Sequence, residues 1–205
     1  MTLKNTIALV TGAGRGIGKT IALLLAAEGV KVVLTARTIA ELERVKGEIE
    51  ASGGSASVVR ADLSNDADIE RLFEEVASRF NRLDILVNNA GLGVYAPVRE
   101  LSISDFDTMW NLNMRAVFLC TQHALELMEP QRSGNIVNVA SLAGRNAFVG
   151  GAGYAATKWA LIGFSRSLML EVRSNNIRVI TIWPGSVDTS LSQSRKEPSR
   201  SATSL

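Results

Sequence analysis

The 205-residue chain carries 22 basic and 20 acidic residues, a net charge of only +2, and a 46% hydrophobic share. That balance belongs to a soluble globule of single-domain size, and it excludes a general nucleic-acid binder. One cysteine (Cys120) and one histidine (His123) exclude an internal disulfide framework, a multi-histidine metal site and a Ser-His-Asp triad, so no metal is expected.

Met1–Asn5 lead straight into a strand-like run, which is not the pattern of a signal peptide. No apolar run approaches the ~20 residues that span a bilayer. A cytoplasmic protein with neither membrane nor nucleic acid as partner is therefore expected.

From end to end, apolar β-rich runs alternate with amphipathic ones. Strands are predicted over 7–10, 30–35, 56–60, 83–88, 135–140 and 177–183, and helices over 17–28, 40–50, 66–80, 105–128 and 154–172. Strands this continuously apolar, each followed by a helix, imply an α/β fold. Its parallel sheet is doubly wound in the Rossmann manner, with helices on both faces and the functional edge at the strands' carboxyl ends. One domain, 1–189, is expected, followed by a polar tail over 190–205.

The first strand runs into Thr11-Gly-Ala-Gly-Arg-Gly-Ile-Gly18 and then a helix. Gly12, Gly16 and Gly18 permit a tight turn and close backbone approach, and a helix N-terminus offers unpaired N–H groups to a pyrophosphate. After the first strand of such an alternation, this points to a dinucleotide, with Ile17 entering the same site. The second strand ends in Ala36-Arg37, where an NAD site usually carries an acid for the ribose 2′-OH. Arg37, with Arg15 in the glycine loop, suits a 2′-phosphate instead, so NADP(H) is expected in preference to NAD(H). The bland alternative is two solvated surface arginines.

Asp62-Leu63 after the third strand can face an adenine or cap a helix. Asn88-Asn89-Ala90-Gly91 after the fourth suits a turn that approaches a ligand. Asn113 sits mid-helix, where Asn is unfavourable unless its side chain has work to do. Ser141 closes the fifth strand. Tyr154 and Lys158, four residues apart, project side by side from one helix face, and the ammonium is expected to lower the phenol's pKa.

With these motifs in this order, and Pro184-Gly185 after the sixth strand, the sequence resembles the short-chain dehydrogenase/reductase family from residue 1 to about residue 189. Within it, the likeness is to the carbonyl-reductase and 3-oxoacyl-thioester-reductase group. The resemblance implies that Tyr154 is the general acid or base, that Lys158 tunes it and binds the nicotinamide ribose, and that Ser141 polarises the carbonyl. It also implies that Asn113 holds a relay water. Gly12, Gly16 and Gly18 would face the pyrophosphate, Asp62 the adenine, and Asn89, with Ala90 and Gly91, the ribose region. Val187 and Thr189, beyond Pro184 and Gly185, would hold the nicotinamide carboxamide.

For the substrate, Gly93, Val94, Tyr95, Ala143, Arg145, Phe148, Val149 and Trp183 are expected to form a mainly apolar lining, with Arg145 either an anchor for an anionic group or a surface charge. The expected activity is hydride transfer between nicotinamide and a small carbonyl or alcohol. A 3-oxoacyl-carrier-protein reductase is one alternative, and a non-catalytic NADP-binding sensor another. Family members usually continue through a further helix and strand, so the Ser-rich tail is expected to be a lid remnant. The resemblance also implies a homodimer or homotetramer, built on helices that carry Trp110, Phe118, Trp159 and Phe164.

Overall fold

A computed structural model describes residues 3–185 and Val187. Six parallel strands form one sheet: β1 (Ile7–Thr11), β2 (Lys31–Thr35), β3 (Ser55–Val58), β4 (Ile85–Asn88), β5 (Gly134–Val139) and β6 (Ile177–Ile182). Their spatial order, β3-β2-β1-β4-β5-β6, reverses between β1 and β4. A doubly wound sheet of this order opens a crevice at that reversal, beyond the strands' carboxyl ends.

Alternate residues of each strand feed two cores, as the pleat requires. Ile7, Leu9, Val33, Leu86 and Ile136 face helices α3 (Asp66–Phe80), α5 (Ala116–Gln131) and α6 (Ala152–Val172). Ala8, Val10, Val32, Leu34 and Val87 face α1 (Gly16–Ala27) and α2 (Ile39–Ala51). Both faces of the sheet are therefore apolar. This is why its strands read as unbroken hydrophobic runs rather than alternating ones.

The long helix predicted over 105–128 is three consecutive pieces. Helix α4 (Ile103–Trp110) passes through a π-helical turn, Asn111–Arg115, into α5. Such a bulge widens the ladder by one residue and often marks a functional position. Here it turns Asn113 into the interior, where the side chain is fully buried. Strand and helix limits otherwise agree with the sequence reading to within about two residues. The chief exception is α5, which runs to Gln131 rather than 128. The expected tail, 190–205, lies outside the described residues.

Candidate active site

A cleft of about 640 Å³ runs along the carboxyl ends of the strands. At one end it is walled by the glycine loop. Gly12 and Gly16 adopt φ of +65° and +55°, which disfavours any residue with a Cβ. A Cβ on Gly12 would also stand 2.9 Å from Asn89 Nδ2 and 3.0 Å from the Ala90 backbone. Helix α1 begins there with no side-chain cap and no acid in its first turn, so its first N–H groups face the cleft unopposed.

Gly18 does not face the cleft. A Cβ there would meet Gly12 O at 2.3 Å and Asn89 Nδ2 at 2.4 Å. Its role is to let α1 close on the loop, which corrects the expectation that all three glycines face a pyrophosphate. Asn89 locks this arrangement by donating from Nδ2 to Thr11 O at 2.8 Å and Gly12 O at 3.3 Å. Asn88, read as part of a turn, is the last residue of β4. It is buried and donates to Asn138 Oδ1 at 2.9 Å, so it belongs to the interior rather than to a ligand contact.

Arg15, Ile17, Arg37, Asp62, Leu63, Ala90 and Gly91 line the cleft. Among the described residues neither Arg15 nor Arg37 is ion-paired with a carboxylate. Burial pushes the Asp62 carboxyl up. Hydrogen bonds from Ser64 N and Oγ, together with nearby Arg37 and Arg60, outweigh that and hold it below its usual range. Asp62 is thus both a turn former and a wall of the cleft.

At the other end Ser141, Tyr154 and Lys158 converge on the same cleft, with Pro184, Gly185 and Val187 beside them. Thr189 lies outside the described residues. Ser141 follows β5 in extended conformation, and its Oγ accepts from Ala143 N at 3.1 Å, so a lone pair is occupied while the hydroxyl hydrogen remains available to Tyr154 or a ligand.

Lys158 is buried and donates to Val139 O at 3.0 Å, with Nζ 5.8 Å from the centre of the Tyr154 ring. Burial pushes its pKa down to about 8. Tyr154 is likewise buried, and that burial pushes its phenol up to about 12, with Tyr95 adding to the rise and the Ser141 hydroxyl opposing it. This corrects the expected lowering by Lys158. The ammonium is aimed at a backbone carbonyl, and desolvation sets the direction in which the phenol moves.

Asn113 lies behind this group. Its Oδ1 accepts from Leu92 N at 2.9 Å, and its Nδ2 donates to Leu92 O at 2.8 Å and to Thr157 Oγ1 at 3.0 Å. Thr157 Oγ1 donates in turn to Tyr154 O at 2.8 Å. Asn113 therefore ties the loop after β4 to the first turns of α6, with one acceptor lone pair left over.

Of the expected substrate residues, Tyr95, Ala143 and Phe148 line the cleft, and the rings of Tyr154 and Phe148 lie 5.4 and 5.7 Å from that of Tyr95. Val94, Arg145 and Trp183 do not line it, nor do Gly93 and Val149. Val94 N points at Met109 Sδ, 3.3 Å away. Trp183 packs on the cluster of Val117, Ala140, Leu161 and Ile162, and the Arg145 guanidinium lies 4.8 Å over its ring. Gly93 is buried beneath the Tyr95 hydroxyl, and Val149 is 98% exposed.

Sequence reasoning missed Thr38, Glu41, Leu142 and Asn146 as cleft residues. No motif marks them, because loop closure alone brings them there. Cys120 is buried, its thiol pushed up to about 12 by desolvation, and His123 stacks on Phe73 at 5.4 Å. Neither takes part in the cleft.

A glycine loop at the topological switch point, with a serine, a tyrosine and a lysine at the far end of the same cleft, can be set against known proteins. A profile of the short chain dehydrogenase family matches residues 6–200. The chain belongs to that family. It is 39% identical over 192 residues to a 3-oxoacyl-[acyl-carrier-protein] reductase of Synechocystis sp., covering 93% of this chain and 78% of that protein. It is 37% identical over 190 residues to a sepiapterin reductase of Chlorobaculum tepidum, covering 89% and 78%. A metagenomic short-chain oxidoreductase solved in complex with NADP superposes with a TM-score of 0.87 at 38% identity, covering 91% of this chain and 85% of the other. This short-chain dehydrogenase is accordingly an oxidoreductase on a Rossmann-like sheet. Among the described residues no helix is long and apolar enough to cross a membrane.

Proposed function

We propose that this short-chain dehydrogenase is an NADP(H)-dependent reductase of small or medium carbonyl compounds, reversible toward the alcohols. The observation that carries the reading is the convergence of Ser141, Tyr154 and Lys158 at one end of a cleft whose other end is a glycine loop. Residues 1–189 form the cofactor-binding and catalytic domain in this reading.

The residues present fit a dinucleotide phosphate. The open N-terminus of α1 and the glycine cradle suit a pyrophosphate, and Arg15 and Arg37, without carboxylate partners among the described residues, suit a 2′-phosphate. The solved relative's complex with NADP agrees. When bound, the cofactor supplies or accepts the hydride. The chain supplies everything else. The Ser141 hydroxyl donates to the carbonyl oxygen and orients it. The Tyr154 phenol, protonated at neutral pH because burial holds it near 12, gives its proton to that oxygen. Lys158 places positive charge beneath the phenol and stabilises the phenolate left behind. Asn113 acts as a positioning residue that fixes the turn of α6 carrying Tyr154.

The substrate end is bordered by Tyr95, Phe148 and the 44%-exposed Leu142, and Arg145 is held on Trp183 rather than in the cleft. An apolar carbonyl therefore fits better than an anionic one. The likeness to a 3-oxoacyl-[acyl-carrier-protein] reductase supports a thioester-bound ketone as the second reading.

Arg37→Asp tests the cofactor half. The substitution is expected to weaken NADPH binding by about 10- to 100-fold, as loss of a charge-assisted phosphate contact should, while NADH binding holds or improves. Cofactor fluorescence titration reads both, and an equal loss for the two cofactors would show Arg37 to be merely structural.

Association into a homodimer or homotetramer completes the proposal. Phe118 and Trp159 are 49% and 56% exposed on α5 and α6, too much aromatic surface for two neighbouring helices to leave in water. Light scattering at micromolar concentration should return a multiple of 22.0 kDa, and a monomer mass would contradict it.

A further inference from the structure

Glu41 stands on the wall of the cleft beside Gly14, Arg15, Arg37 and Thr38. It lies in the first turn of α2, six residues beyond the end of β2, and is half-buried. Its side chain leans across the glycine loop: a Cβ placed on Gly14 would meet Glu41 Oε2 at 2.7 Å and Glu41 Cβ at 2.9 Å. Among the described residues its carboxylate has neither an ion pair nor a hydrogen-bond donor. An acid in a first helical turn interacts favourably with the helix dipole. That accounts for its place on the helix but not for its lying across a loop whose cleft wall also carries Arg15 and Arg37, neither of them ion-paired among the described residues.

We propose that Glu41 limits the discrimination between NADP(H) and NAD(H), its carboxylate opposing Arg15 and Arg37 at the position where a ribose 2′-substituent is read. This deepens the cofactor reading above and rests on it. A 2′-phosphate entering this wall meets two guanidiniums that attract it and one carboxylate that repels it. A 2′-hydroxyl carries no charge and can donate a hydrogen bond to that carboxylate. The end of β2, where an acid would normally read the hydroxyl, carries Ala36 instead. Glu41 thus restores, from the next helix, part of what the strand end lacks, and the site retains use of NAD(H) at some loss of affinity for NADP(H).

Glu41→Gln tests this, because it removes the charge but keeps the shape that packs on Gly14. The dissociation constants of NADPH and NADH are measured for the wild type and the variant by fluorescence titration, at low and at high ionic strength. The expected result is NADPH binding about 3- to 10-fold tighter at low salt, a gain that shrinks as salt screens the cleft, with NADH unchanged or weaker. Glu41→Ala should move NADPH affinity in the same direction, although with some loss of packing. Parallel changes for both cofactors would show that Glu41 only packs against the loop, and no change for either would show that its charge is not felt; each overturns the proposal. If the wild type does not favour NADPH and Arg37→Asp changes nothing, the cofactor reading itself fails, and Glu41 loses its role with it.

Discussion

Tyr154→Phe is expected to lower kcat for carbonyl reduction by about 10²- to 10⁴-fold, the usual contribution of a positioned general acid. NADPH affinity should stay within a factor of about two. The substitution removes one oxygen and nothing else. The ring is buried in the first turn of α6, held by its edge contact with Tyr95, and Phe keeps that contact. What is lost is the proton, together with the hydroxyl's hydrogen bond with Ser141. Because burial holds the phenol near 12, the wild-type residue rests as the acid that reduction requires, and alcohol oxidation has to start from the rarer phenolate. Steady-state kinetics beside a cofactor titration separate the two outcomes. A variant that still reduces carbonyls at the wild-type rate would remove Tyr154 from the chemistry, whereas a wild type that binds NADPH but reduces no carbonyl would favour the sensor alternative.

Lys158→Met should abolish most activity and yet stabilise the ligand-free protein. The ammonium is fully buried, and desolvation lowers its pKa from an ordinary 10.5 to about 8. Below pH 8 the folded protein must therefore hold a charge at a penalty of about 3 kcal/mol relative to the unfolded chain. Methionine fills similar space without that penalty but leaves Val139 O without its donor, which offsets about 1–2 kcal/mol. The net gain at pH 7 is roughly 1–2 kcal/mol, and Tm should rise by roughly 2–6 °C for a chain of this length.

The sign of the pH dependence follows from the same shift. A lysine with a lowered folded pKa carries its full penalty below about 8 and is relieved of it as pH rises toward 10.5, so the advantage of the methionine variant should shrink across that window. Activity should fall by about 10²- to 10³-fold, as when a preorganised electrostatic group is removed. Calorimetry between pH 7 and 10 checks the stability half. A variant destabilised at pH 7 would show that the hydrogen bond to Val139 matters more than the buried charge. A trade of this kind, stability surrendered at a residue the chemistry needs, is expected of a catalytic lysine.

Where each part of the site could be read in the sequence depended on whether its signal was local. The β1–glycine loop–α1 unit is legible because strand, loop and helix are contiguous and glycine is the residue most at ease at the φ values found at Gly12 and Gly16. Tyr154 and Lys158 are legible because helical spacing fixes them on one face. Asn113 announced itself as an unfavourable mid-helix residue. The π-helical turn that buries it, however, depends on the loop around Leu92 and on Thr157, which lie elsewhere in the chain.

What the sequence misjudged depended on three-dimensional packing. Arg145 could be read as a pocket anchor or as a surface charge, and only the fold shows that Trp183, far along the chain, holds it. Glu41 carries no motif, and only the fold lays it across Gly14. The phenol was expected to fall in pKa because its neighbour is cationic. It rises because both groups are desolvated together, and desolvation is not visible in spacing.

The most direct test of the account is to follow NADPH consumption and alcohol formation together across a panel of apolar aliphatic and aromatic ketones, with the wild type and Tyr154→Phe run side by side. One alcohol should form per NADPH consumed by the wild type, and essentially none by the variant. Binding of NADPH without turnover of any carbonyl, or turnover that survives in the variant, would contradict it.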